Sequence, residues 1–307
     1  MVLPSTDRKT VDEASRGKVL MATLLPFIYL LVGFLVGKGQ LNVKKFSSLV
    51  LTKLVIPVII IWNISLHSEE MIGVIALTMM SMLAIFACRH WMGKDAIRSL
   101  CFCYLNIGWL GLPIAHALLG DEAARFMLAA YIGSSIVGNS IGANYLKKET
   151  FSILKVLASP PVIALLIGGL LIPVGRGIEV HGHTLYVVSK FLMSFLGMMI
   201  LGIWLAETSL KKSDVLLYTR TYVLRIVTLS AMVLVVFGIS QIANSEMLYH
   251  QLPWLLLICL LPPAANIIVL ETSYLGTGTS AARISVETMV SIVVIAVYAI
   301  VLRSLSW

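Results

Sequence analysis

A chain of 307 residues that is 59% hydrophobic and only 12% charged, with mean hydropathy +0.95, lies far outside the soluble globular range of roughly 45–50% apolar and about 25% charged. Apolar runs of about 18 or more residues recur from end to end, which predicts an integral membrane protein of many helices and excludes a barrel of alternating strands. The formal charge of +8 does not signal a nucleic-acid partner, because most Lys and Arg stand in short connections between apolar runs, where they set topology.

The first 18 residues are polar and charged, and the apolar run behind them lacks a small-residue cleavage pattern, so they read as a solvated tail and not as a removed signal. Ten spans are predicted, at 20–39, 47–66, 71–90, 98–119, 124–146, 157–176, 184–206, 217–240, 251–272 and 284–304. The connections after the first, third, fifth and seventh carry Lys38, Lys44 and Lys45; Arg89, Lys94 and Arg98; Lys147, Lys148 and Lys155; and Lys211, Lys212 and Arg220. Those after the second and eighth carry none. By the positive-inside rule the odd connections are cytoplasmic and both termini extracytoplasmic, which places a multi-pass protein in the cell membrane. The tail dissents with Arg8, Lys9, Arg16 and Lys18, offset by Asp7, Asp12 and Glu13.

Five spans, a basic connection at 147–156 and five more spans predict an internal repeat, 19–146 and 157–307; an odd span number inverts the second copy. LLPFIYLLVGFLVGKGQ aligns with SPPVIALLIGGLLIPVGRG, matching Pro26 to Pro161 and Gly33 to Gly168, and Ala-Ala-Arg opens both the fifth and the tenth span.

The chemistry concentrates in the fourth span of each half. LNIGWLGLPIAHALLG (105–120) holds Asn106, Gly108, Gly111, Pro113 and His116, and LLPPAANIIVLE (260–271) holds Pro262, Pro263 and Asn266. Proline removes a backbone donor and clashes with the preceding turn, so Pro113, Pro262 and Pro263 are expected to break their helices near mid-membrane. Broken backbone at that depth must be buried in protein or line a wet cavity. Interruptions at matching positions of two halves point to a transporter site, where the amide ends of half-helices attract an anion.

NIGWLGLPIAHALLG resembles the fourth-span motif of the auxin efflux carrier family, which includes plant auxin carriers and bacterial malate or malonate permeases within the wider bile acid and sodium symporter superfamily. Asn106, Gly111, Pro113 and Gly120 fall on the motif's positions; LLPPAANIIVLETSYLGTGTS resembles the ninth-span crossover, and LTKLVIPVIII, with Pro57, the second span. The resemblance implies a scaffold of spans one, two, six and seven that commonly dimerises, and a transport unit of spans three to five and eight to ten whose fourth and ninth helices cross. It implies elevator-type alternating access, with the crossover asparagine, here Asn106, contacting a substrate carboxylate. The chain departs from the family at His116, where plant carriers tend to have lysine, and at Glu271 and Glu287, where relatives more often have small or hydroxyl residues.

An ionisable residue inside a span is a functional candidate by default. Glu287 is read either as the partner of Arg283, four residues back, or as a coupling or substrate group; Glu271 either as a proton or cation coupling group or as a helix-end contact. Arg225 suits a carboxylate ligand or a glutamate partner, and His116 a buried packing role or the site. Tyr131, Ser134, Asn139 and Asn144 place hydrogen-bonding groups in the fifth span, as interhelical contacts or ligand contacts. Lys53 and Lys190 read as snorkelling to the interface. Cys88, Cys101, Cys103 and Cys259 read as packing residues, and His181 with His183 lacks the further ligands of a metal site.

The sequence thus predicts an all-α polytopic protein that carries small organic anions, mono- or dicarboxylates first and auxin-like acids second, with proton or sodium as coupling ion, no other cofactor and a homodimeric form. Without HExxH or a matched aspartate pair in the spans, no enzyme is predicted. The alternatives are a sodium-coupled symporter of the bile acid branch and a membrane anion sensor that does not transport.

Overall fold

Long apolar helices satisfy their own backbone hydrogen bonds, the requirement that lipid imposes on any spanning segment. The computed structural model describes residues 25, 27–39, 43–87, 95–147, 154, 157–208, 210–242 and 251–304. In chain order the elements are α1 (Phe27–Lys38), α2 (Lys44–Ala87), α3 (Ala96–Cys103), α4 (Ile107–Leu146) and α5 (Pro160–Leu170). They continue with α6 (Gly175–Glu207), α7 (Lys212–Ile242), α8 (Leu252–Leu260), α9 (Asn266–Leu275) and α10 (Ser280–Ser304). Among the described residues five helices, α2, α4, α6, α7 and α10, are long and apolar enough to cross a membrane. Their number and composition make this an all-α membrane protein.

At 1.5 Å per residue the 44 residues of α2 would reach about 66 Å, twice a hydrocarbon core of about 30 Å. It does not run straight: His67 leaves helical geometry at φ −133° and ψ 32°. In α4 the interruption is Gly120, at φ 85° and ψ −171°, a conformation that only glycine adopts without strain. Its arms fold back on each other, because Gly108 lies against the Tyr131 ring and Gly111 against Met127. A straight helix would hold these pairs tens of ångströms apart.

The arm of α2 before His67 packs beside α5, with Gly168 against Ile61 and Ile64. The arm after it packs beside the second arm of α4, where Arg125 pairs with Glu70 and Gly133 lies on the Ile75 carbonyl. Both reversals lie at one end of the molecule. At the other, Lys44 pairs with Glu207 and covers the Trp204 ring. α1 meets α6 through glycines: a side-chain carbon on Gly33 would fall 2.0 Å from the Met199 carbonyl oxygen, and one on Gly202 would fall 2.1 Å from that of Leu30. Small residues at such crossings let backbones approach where lipid supplies no hydrophobic drive between helices.

Two prolines sit inside helices without stopping them. Pro57 and Pro113 each follow a five-residue π turn, Leu51–Val55 and Ile107–Gly111. A proline lacks its N–H and collides with the carbonyl four residues back, here that of Lys53 or Trp109 within the π turn. The wider turn accommodates both defects. The expectation that Pro113 breaks its helix is therefore corrected: the break lies upstream, at Tyr104–Asn106.

Candidate functional site: the crossover of two interrupted helices

α3 ends at Cys103 and α4 starts at Ile107; α8 ends at Leu260 and α9 starts at Asn266. Between them the chain is extended, and the two extended pieces pair. The Asn106 amide donates to the Pro262 carbonyl and the Ala264 amide to the Tyr104 carbonyl, both at 2.8 Å, closing an antiparallel bridge between Leu105 and Pro263. Each break thus supplies the hydrogen-bond partners the other lost. The pairing also explains why two consecutive prolines are tolerated here: the bridge uses the Pro262 carbonyl and the Ala264 amide, and asks neither proline to donate.

Beside the bridge lies a pocket of about 200 Å3, lined by Asn106, Gly108, Tyr131, Asn139 and Asn266 together with Tyr104, Thr52 and the Pro160–Pro161 pair. Five residues singled out from sequence, from both arms of α4, the residue leading into it and α9, converge in it. Gly108 is there because a side-chain carbon would stand 2.5 Å from the Tyr131 ring. The Asn266 amide donates to the Asn139 side-chain oxygen at 2.5 Å. Asn106 is 3% exposed, and among the described residues its side-chain nitrogen finds no acceptor. Leaving a buried amide unpaired costs about 1–3 kcal/mol, and the group shares this state with the Arg225 Nε and the Ser135 hydroxyl among others.

Behind the bridge stands a buried ion cluster. Arg225 of α7 donates to Glu287 of α10 at 2.5 Å, Arg283 donates to the other Glu287 oxygen at 2.7 Å, and Thr221 adds a third donor. The Arg225 guanidinium also reaches the carbonyls of Cys101 and Leu261, each at 3.0 Å. Both sequence readings of Glu287 and Arg225 as structural partners describe contacts present here.

Glu271 caps the start of α10. Its carboxylate accepts from the Thr277 and Thr279 hydroxyls and from the Thr279 and Ser280 amides, at 2.6–2.8 Å. Four donors from its own loop occupy it, the arrangement expected at a helix amide end.

Two of the anticipated site residues lie elsewhere. Pro113 and His116 line a second, larger cavity of about 590 Å3 toward the end where the chain reverses, with Asn63, Trp62, Tyr186, Arg125 and Lys190. There Lys190 bonds Asp121 at 2.8 Å, and His116 stands 3.1 Å from Asp121 and 3.2 Å from Lys190. Lys190 lines this cavity, and its partners are 69 and 74 residues distant in sequence, so no local pattern could reveal them. Gly111 packs against Leu261 and Met127 behind the crossover pocket. Cys101, Cys103 and Cys259 are buried free thiols, and Cys88 lies outside the described residues.

No family model matches the chain, and no curated protein matches it significantly. The class that fold and composition define is an all-α membrane protein with paired, interrupted helices.

Proposed function

We propose that this protein is a secondary carrier of small organic anions, with the crossover pocket as the substrate site. The observation that carries the reading is the unpaired, buried side-chain amide of Asn106, a residue that lines a pocket where two half-helices, α4 and α9, also begin. Each such end carries about half a positive charge, so the two ends and the free amide together favour a carboxylate. A volume of about 200 Å3 falls below the roughly 300–1,000 Å3 of drug-sized sites. Short mono- or dicarboxylates such as malonate or malate are therefore favoured over aromatic acids.

The same reading extends to topology. The reversals at His67 and Gly120 divide α2 and α4 into two crossings each, which supports ten crossings, and their separation from the basic end at Lys38 and Lys44 supports extracytoplasmic termini in the cell membrane. Paired interruptions in the two halves support an inverted repeat. The glycine contacts between α1 and α6, and those of α5 with α2, suit a scaffold against which the crossover helices move, elevator fashion, in a homodimer of the auxin efflux carrier type.

The test is uptake of labelled malonate and malate by proteoliposomes. Asn106→Ala is expected to abolish uptake while insertion and monodispersity persist. Unchanged uptake in that variant overturns the site.

A further inference from the structure

We propose that the buried Arg225–Glu287–Arg283 cluster sets the sign of the electric field in the crossover pocket, making Arg225 a positioning and specificity-determining residue for a small carboxylate. The inference deepens the carrier reading and rests on its placement of the site.

Where two interrupted helices cross, four helix ends meet: two amide ends with partial positive charge and two carbonyl ends with partial negative charge. Left alone, these would largely cancel, and the pocket would select neither sign. In this protein the two kinds of end are treated differently. The carbonyl ends are covered. Arg225 donates to Cys101 near the end of α3 and to Leu261 just after α8, while the hydroxyls of Tyr222 and Ser291 both donate to the Leu260 carbonyl at 2.7 Å. The amide ends at Ile107 and Asn266 lie beside the pocket, where leading amides meet only the neutral carbonyls of Leu105, Ala264 and Ala265, and among the described residues the lining holds no charged side chain.

The covering group is itself unbalanced. Two guanidiniums face one carboxylate, an excess of one formal positive charge, and the Arg225 side chain is 1% exposed. Its Nε has no acceptor among the described residues. A cluster serving only to hold helices together would be cheaper as a neutral pair, because each buried ion costs several kcal/mol of desolvation. The excess instead lies behind carbonyl ends whose negative charge it offsets. An independent feature points the same way: Asn106, a lining residue 3% exposed, carries a side-chain donor without an acceptor among the described residues.

The field can be read without a substrate. A thiol introduced by Asn106→Cys in the full-length, purified protein is titrated by ultraviolet thiolate absorbance, with the parent protein subtracted to remove its own cysteines. Adding Glu287→Gln, which leaves two positive charges, is expected to lower the thiol's pKa. Adding Arg225→Gln, which leaves none in excess, is expected to raise it; one unit is a tenfold change in the thiolate ratio. Arg225→Lys retains the charge and is expected to stay close to the parent, which separates charge from the geometry of the fork. Glu287→Gln and Arg225→Lys keep the experiment decisive if Arg225→Gln does not fold. Shifts of the same sign in the two glutamine variants, or a thiol that moves in none of the three, overturn the proposal. Loss of uptake in Asn106→Ala with an unmoved thiol would mean that the site is right and the field is made otherwise; a moving thiol with unchanged uptake would mean a charged pocket that is not the carrier's site.

Discussion

The crossover pocket and the larger cavity near Gly120 both collect polar side chains inside an apolar protein, yet they satisfy them in opposite ways. The larger one, about 590 Å3, is lined by formal charges that each have a counter-charge: Lys190 has Asp121, with His116 beside them, and Arg125 has Glu70. The smaller one, about 200 Å3, is lined by neutral amides and phenols, and one amide is left over. Charge alone is therefore a poor guide to a site, since charges that neutralise each other leave little for a ligand, whereas one unmet hydrogen bond beside a buried pocket leaves a donor.

The strongest way to break this comparison is to remove what supports the smaller pocket. Arg225→Met orphans the Cys101 and Leu261 carbonyls and deprives Glu287 of one partner, and the loss of about 3–5 kcal/mol expected for breaking a buried pair should appear as a collapse of the detergent-solubilised melting temperature. A melting temperature equal to wild type would show that the cluster is not a keystone. Next comes Gly108→Ala, which drives a methyl group against the Tyr131 ring and should cost about 1–3 kcal/mol in stability and narrow the pocket. If the variant still takes up malonate at the wild-type rate, the pocket is wider in action than in this structure.

Gly120→Ala tests the hairpin that holds the larger cavity. No atom lies within 4 Å of the added carbon, so the whole penalty, about 1–3 kcal/mol, comes from the backbone at φ 85°. Gly120→Asn should recover none of it, because asparagine tolerates the left-handed helical region and not a ψ of −171°. The smallest effect belongs to Asp121→Asn. With the aspartate side chain 70% exposed, the ion pair with Lys190 should contribute no more than about 0.2–1 kcal/mol, screened further by salt. A larger loss would give the exposed cavity an electrostatic importance comparable to the crossover.

Much of this was legible in the sequence, for identifiable reasons. Hydropathy marks the membrane class because lipid tolerates little else, and Asn106, Gly108, Tyr131, Asn139 and Asn266 stand out as polar or helix-weakening residues in apolar runs. What hid was everything set by partners far along the chain. Pro113 looked like the breakpoint, yet a π turn absorbs it, while the unremarkable Tyr104–Leu105–Asn106 is extended because Pro262–Ala264 lies opposite. His116 belongs to the larger cavity because Gly120 turns its helix back. Lys190 had only its position near a span end to suggest an interface role, and Asp121, its partner, carried no local signal at all.

The Leu105–Pro263 bridge bears on how the chain is made as well as on what it binds. As the first half enters the bilayer, the backbone from Tyr104 to Asn106 has neither a helix of its own nor yet the partner strand that satisfies it. Unmet peptide groups in hydrocarbon cost several kcal/mol each, so the half-built protein must shelter that segment in water or in the insertion machinery until the eighth and ninth helices arrive. Truncation before Pro262 should leave a product that is inserted but held by that machinery and handed to proteolysis, whereas truncation within α10, after the bridge has closed, should be released.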